Sequence, residues 1–349
     1  MSDMRTEVVD ATSIEEAGTQ YGAKIIRDGG LVAFPTETVY GLGANGLNPE
    51  AVSSIFEAKG RPSDNPLIMH ISKKSEIRQL WDSVPSVANV LMDTFWPGPL
   101  TLIYKRSRIV PNAVTAGLDT VAVRLPANVT ARALIRKAGV PIAAPSANLS
   151  GKPSPTTAQH VLEDMEGRIP LIIDGGPCKY GVESTVLSLI GTPTILRPGA
   201  VTWEMLSSLI GEVRISDAVL SPLKENETAA SPGMKYKHYA PDAEVVVISG
   251  SPEKAAARIN ELYVSAELEG KNPEIAGTKQ TKHFYQGKKF VILGDREKPE
   301  TLCRNLFSYL RALDQYSDLI LAEGISPDQA GLAYMNRLLR SAGFHVEYV

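Results

Sequence analysis

The chain has 349 residues, 43% of them hydrophobic and 21% charged, and a formal net charge of −3. That length accommodates two domains with separate cores, and that charge excludes a chain coated in basic side chains for nucleic acid. Cys178 and Cys303 stand far apart without metal-type spacing, so neither a disulfide framework nor a zinc knuckle is expected. Met1-Ser2-Asp3-Met4-Arg5 carries no apolar leader and no run approaches the length of a membrane span, so the expected compartment is the cytoplasm, with no membrane partner.

Residues 13–30 read as a helix, opened by a capping box of Ser13 and Glu16 and ended by Gly29-Gly30. Residues 31–34 form a short β-branched and aromatic strand that Pro35 stops. The following Pro35-Thr36-Glu37-Thr38-Val39-Tyr40-Gly41-Leu42-Gly43 reads as a loop facing a ligand, or more plainly as a polar turn. Its hydroxyls are short, orientable donors and acceptors, and its glycines let backbone amides approach an anion. A second helix opens at Asn48-Pro49 and closes at Gly60. Lys59 and Arg61 flank that end, as dipole complement and solvated charge or as ligand contacts. Asn65-Pro66 leads into the strand 67–71, where His70 interrupts an apolar run. Trp96-Pro97-Gly98-Pro99-Leu100-Thr101 is a rigid wall set by two prolines.

Further apolar runs at 100–104, 121–125, 141–144, 171–174, 186–190 and 194–196 alternate with helical patterns and end in the helix 203–210. The mixture gives one α/β domain over 1–215. Residues 216–243 read as a linker, polar at 221–228. Ser231-Pro232-Gly233-Met234-Lys235-Tyr236-Lys237-His238-Tyr239-Ala240-Pro241 is too aromatic for a flexible spacer. Beyond it, strands 244–249, 289–294 and 318–323 alternate with helices 252–269, 297–313 and 330–342. That pattern gives a small parallel sheet covered on both faces, over 244–349. Ser249-Gly250-Ser251 follows its first strand without a G-x-G-x-x-G pattern, so it reads as packing rather than a phosphate loop.

Several of these loops share one chemistry. Arg124 stands inside an apolar strand and needs a partner, either a carboxylate-bearing ligand or an internal salt bridge; no acid occupies an obvious cross-strand position. Ala143-Ala144-Pro145-Ser146-Ala147-Asn148-Leu149-Ser150-Gly151 ends a strand in small residues whose amides could cradle a phosphate or nucleotide. Gly181-Val182-Glu183-Ser184-Thr185-Val186 and Arg197-Pro198-Gly199 complete the set. Lys59, Arg61, Arg124 and Arg197 would converge among hydroxyls, with no His/Cys/Asp metal cluster and no nucleophile–base pair. Such a site suits phosphoryl or nucleotidyl chemistry, in which a protein positions groups and neutralises charge.

Taken together, 35–43, Lys59-Gly60-Arg61, Asn65-Pro66-Leu67, 96–101, Val123-Arg124-Leu125-Pro126, Pro145–Asn148, Ser184-Thr185-Val186 and Arg197-Pro198-Gly199 resemble the YrdC domain. The 231–241 segment and the α/β region after it resemble the long form of that family, so the likeness covers essentially the whole chain. The resemblance implies an open, twisted mixed sheet with a concave basic cleft, followed by a smaller Rossmann-like parallel α/β domain. It implies a threonylcarbamoyl-adenylate synthase using L-threonine, bicarbonate or carbon dioxide, and ATP with magnesium. A tRNA-modifying transferase complex would receive the product, and a weak contact with tRNA itself is compatible with the fold. By the same likeness Thr38, His70, Arg124, Ala144 and Ser184 would hold threonine. Lys59, Arg61, Asn65, Thr120, Ser146, Ser154 and Arg197 would meet the nucleotide, with Tyr236 and His238 on a lid over it. Lys59, Arg61 and Arg124 would carry the reaction. A double-stranded RNA or tRNA-binding module without catalysis is the alternative reading of a basic cleft.

Overall fold

The computed structural model describes residues 5–11, 15–221 and 239–349. Ser13 of the expected capping box, most of the expected linker, and Tyr236 and His238 of the expected lid lie outside the described residues. The chain divides into two compact units. The first holds the described residues up to Ser150 and Ser154–Val219, and the second holds Gly151–Pro153, Leu220, Ser221 and the described residues from Tyr239 onward. Among the described residues no helix is long and apolar enough to cross a membrane.

In the first unit, eleven strands among the described residues make one mixed sheet. Across it run Glu7–Asp10, Leu171–Asp174, Val32–Phe34, Gly41–Asn45, Ile142–Ala144, Ile68–His70, Thr120–Arg124, Leu100–Lys105, Thr185–Ser188, Thr194–Arg197 and Arg214–Ile215. Side chains alternate between the two faces, so register sorts them. One face presents Ala33, Leu42, Ala143, Met69, Val123, Leu102 and Leu187 to the largest core cluster, with Val52 and Ile55 of helix Pro49–Lys59 and Leu91 of helix Ser86–Phe95. The opposite face presents Val32, Phe34, Ile142 and Ala144 to helices Glu15–Arg27 and Val129–Ala138. Further along that second face the residues change character. Ile68, Ile103, Ala122 and Val186 form a small apolar cluster of their own, and His70 and Arg124 sit side by side in register.

Local sequence explains the elements that border this region. Asn48 caps helix Pro49–Lys59 by accepting from the amides of Glu50 and Ala51, and Gly60 ends it in the left-handed region at φ 60°. That helix end fixes where Lys59 stands. The stretch expected as a loop through Gly43 is instead loop only to Tyr40, since Gly41–Asn45 is a strand paired with Val32–Phe34. A Cβ on Gly43 would lie 2.8 Å from the Phe34 ring and 2.7 Å from Ile142. The glycine there makes room for an aromatic ring rather than for an anion.

The second unit is a five-stranded, all-parallel sheet among the described residues, ordered Phe290–Gly294, Pro273–Thr278, Leu319–Glu323, Glu244–Ser249 and Val346–Tyr348. Helices Pro252–Leu268, Pro299–Leu313 and Ala330–Ser341 connect it. Two strands exceed the sequence expectation. Pro273–Thr278 opens on proline and carries Glu274 and Gly277, yet all six of its residues are buried. Ser249-Gly250-Ser251 is packing: Ser251 caps the helix by accepting from the Lys254 amide, and a Cβ on Gly250 would meet Val349 at 2.8 Å.

Candidate active site

The carboxyl end of strand Thr120–Arg124 supplies the centre of the first unit's polar cluster. Arg124 is 3% exposed. Its Nε donates to the Gly98 carbonyl (3.3 Å), one terminal nitrogen donates to Thr38 Oγ1 (3.0 Å), and the other donates to Glu37 Oε1 (2.7 Å). Glu37 therefore answers the question the sequence left open, since an internal carboxylate does pair with Arg124. The pairing does not exhaust the arginine. A guanidinium has five N–H groups and three are used among the described residues, which leaves one N–H on each terminal nitrogen, suited to a second carboxylate.

Glu37 is itself held on several sides. Its second oxygen accepts from the Asn128 amide at the start of helix Val129–Ala138, and its carbonyl accepts from the Tyr180 amide. Burial alone would raise its carboxyl pKa, but the Arg124 charge and hydrogen bonds outweigh that and hold it below the usual carboxylate value. Beside it, Thr36 Oγ1 donates to the Val39 carbonyl (2.6 Å) and lies 2.8 Å from Thr38 Oγ1. Thr36 Oγ1 also accepts from the Thr38 and Val39 amides, and the Thr38 hydroxyl accepts from Arg124. The Thr38 hydroxyl is thus fixed beside the guanidinium.

His70 neighbours Arg124 across the strands and sits edge-on to Phe34, with ring centroids 6.0 Å apart. Burial first, then the Arg124 charge, pushes its pKa down to about 3, so the ring is neutral at physiological pH. Its Nδ1 lies 3.1 Å from the Ile68 carbonyl. Ala144 pairs with Ile68 on the other flank. Thr101 follows Leu102 toward Arg124 in the antiparallel register, and its hydroxyl lies 2.8 Å from that of Ser184. Arg197, 6% exposed at the end of its own strand, donates through Nε to the Ser184 carbonyl (3.1 Å) and through a terminal nitrogen to the Ser184 hydroxyl (3.2 Å).

Lys59 adjoins the same set. Its ammonium donates to the carbonyls of Ser146 (2.6 Å) and Asn148 (2.5 Å), and Ser146 bridges to Gly41. Three amides of the 145–150 loop are already spent within the fold. Ala147 N–H donates to Tyr40, Leu149 N–H to Asp164 and Ser150 N–H to Lys59. Ser154 donates to the Glu183 carboxylate, which brings it beside Ser184. Asn65 is 1% exposed, yet neither atom of its amide has a hydrogen-bond partner among the described residues. A buried amide left so costs about 1–3 kcal/mol and points to a missing polar partner.

Lys59, Arg124 and Arg197 are thus linked through Ser146, the 36–41 stretch, Thr101 and Ser184. Arg61 lies two residues beyond Lys59 with its guanidinium 5.9 Å from the Phe56 ring centroid. Thr120 occupies the far end of the Arg124 strand, opposite Lys105, in a hollow with Asp82, Arg106 and Asp119. Sequence reasoning missed Glu37 as the Arg124 partner, Thr101 as the Ser184 partner and Glu183 as the Ser154 partner. The residues of these pairs stand 87, 83 and 29 positions apart, and only the folded sheet brings them together.

Known proteins give a consistent set of likenesses. A family model for Sua5, YciO and YrdC proteins, described as "Telomere recombination", matches residues 24–199. One described as "Threonylcarbamoyl-AMP synthase, C-terminal domain" matches residues 201–343. The threonylcarbamoyl-AMP synthase of Pyrococcus abyssi is 50% identical over 335 residues, covering 95% of this chain and 96% of that protein. The Bacillus subtilis threonylcarbamoyl-AMP synthase is 47% identical over 344 residues, 97% of each. The crystal structure of Pyrococcus abyssi Sua5 complexed with L-threonine superposes with a TM-score of 0.92 at 48% identity, over 99% of both chains.

Proposed function

The chain belongs to the threonylcarbamoyl-AMP synthase family, and on that premise we propose that it joins L-threonine, bicarbonate or carbon dioxide, and ATP into threonylcarbamoyl-adenylate with release of pyrophosphate. The observation that carries this reading is the two N–H groups left on Arg124 among the described residues, beside the Thr38 hydroxyl and a neutral His70. An amino acid presents a carboxylate to the first and hydrogen-bonding groups to the others. Ala144 and Ser184 complete the amino-acid pocket.

An amine and carbon dioxide form a carbamate without enzymatic help, and its oxygen can attack the α-phosphorus of ATP as pyrophosphate departs. The protein's task is then to hold the carbamate in line with the phosphorus and to offset charge on the triphosphate. Lys59, Arg61 and Arg197 would serve the phosphates, with Asn65, Thr120, Ser146 and Ser154 on the nucleotide. The orphaned Asn65 amide fits that assignment. Magnesium enters as part of the ATP substrate complex. The donor set here, of ammonium, guanidinium, hydroxyl and amide groups, suits phosphate oxygens, and the ion would keep phosphate and water ligands. The adenylate would pass to a tRNA-modifying transferase complex in the cytoplasm.

The test is incubation of the full chain with bicarbonate and Mg-ATP, with and without threonine. Threonine-dependent pyrophosphate release is the expected result. Release that ignores threonine contradicts the reading, and salt-dependent tRNA binding with no turnover would favour the RNA-binding alternative.

A further inference from the structure

Every role assigned above goes to a group that would touch a substrate, Ala144 through its backbone, and Glu37 is not among them. Its side chain is 8% exposed and both carboxylate oxygens are already engaged, one by Arg124 and one by the Asn128 amide. We propose that Glu37 is a positioning residue for amino-acid binding, acting through Arg124 to fix which two N–H groups face the threonine carboxylate. The inference rests on the reading that Arg124 takes that carboxylate.

The geometry gives the reason. Gly98 and Thr38 hold Nε and one terminal nitrogen of Arg124 through neutral oxygens, whereas Glu37 holds the other terminal nitrogen through a charged one at 2.7 Å. All three bonds have an ionised donor, but only the Glu37 bond joins two opposite full charges, at the shortest of the three distances, so it dominates the orientation. Glu37 is anchored in turn by the helix start at Asn128 and by the Tyr180 amide. The guanidinium is therefore set against a fixed frame rather than against a mobile side chain. Adjacent Thr38 belongs to the same loop, so one short segment presents both the oriented fork and the hydroxyl beside it.

Two effects of opposite sign follow if the Glu37 charge is removed. Loss of orientation weakens threonine binding, whereas loss of a negative charge near the carboxylate subsite strengthens it. The positioning role requires the first to win. Steady-state pyrophosphate release should be compared for the full-length wild type, Glu37→Gln, Arg124→Gln and the double variant. Glu37→Gln should raise KM for threonine about tenfold, with kcat and KM for ATP within about twofold of wild type. In the Arg124→Gln background the same change should add nothing, because there is no guanidinium left to orient. An unchanged or lowered threonine KM, a matching rise in the ATP KM, or multiplicative effects in the double variant would each overturn the proposal. Should Glu37→Gln fail to fold by circular dichroism, Glu37→Asp puts the same question with the charge kept and the reach shortened. A wild type that releases pyrophosphate without threonine overturns the underlying reading before any variant is compared, and this inference with it.

Discussion

Each unit buries one carboxylate against one arginine at the end of a strand, and the two pairs are finished differently. In the second unit Glu323, fully buried, accepts from the Tyr285 hydroxyl (2.7 Å), the Thr278 hydroxyl and amide (3.0 and 3.2 Å) and Arg296 (3.2 Å). That arginine also donates to the Gly324 carbonyl. The carboxylate is met by four donors from the end of strand Pro273–Thr278 and the segments that follow it and Phe290–Gly294, and it works as a latch. In the first unit the Glu37 carboxylate gathers only two donors, Arg124 and the Asn128 amide, and among the described residues both arginines keep N–H groups unspent, Arg296 Nε being buried without a partner. A carboxylate met by four donors holds a fold together, whereas the open guanidinium of Arg124, beside Thr38 and His70, can read a ligand.

The largest break of that comparison comes from Glu323→Ala. Removing one partner of a buried pair should lower the unfolding free energy by about 3–5 kcal/mol, measured by urea denaturation, with threonine KM unchanged. A cost below about 1 kcal/mol would show that the saturated carboxylate is not a latch.

Next in size is a pH effect in the first unit. The folded pKa of His70 lies at about 3, below its ordinary 6.5. The folded state therefore binds fewer protons than the unfolded chain between those values, and its stability is present above 6.5 and lost as pH falls toward 3. From pH 6.5 to 5 the wild type should lose about 2 kcal/mol that His70→Gln does not lose. Glu37, also lowered, contributes only below its ordinary 4.5. Parallel stability curves for the two proteins above pH 5 would contradict the buried neutral ring.

The smallest effect sharpens the open side of the comparison. Asn65→Ala should raise the ATP KM about tenfold without lowering unfolding stability, because it removes an amide that the folded chain leaves unmatched. Lost stability with an unchanged ATP KM would make Asn65 structural.

Much of the first unit was legible because its signals are local. The Asn48 cap, the Gly60 end and the apolar runs at 67–71 and 121–125 each declare themselves within a few residues. Gly41–Asn45 did not, since Gly-Leu-Gly-Ala-Asn has little strand propensity and pairs because Phe34 needs the space above its glycines. Pro273–Thr278 was hidden for a related reason: its proline and glycine read as loop, while two flanking strands supply the register. The motif loops identified Arg124 as needing a partner, but choosing Glu37 required a contact across 87 positions.

The most direct trial replaces the substrate's carboxylate and keeps the rest of the molecule. L-Threoninol retains the amine and the hydroxyl, so it still forms a carbamate but gives the Arg124 fork nothing to grip. Pyrophosphate release at matched concentrations should be strong with L-threonine and near background with L-threoninol. Comparable release with both would mean that the guanidinium does not read a carboxylate, and the assignment of the site would fall.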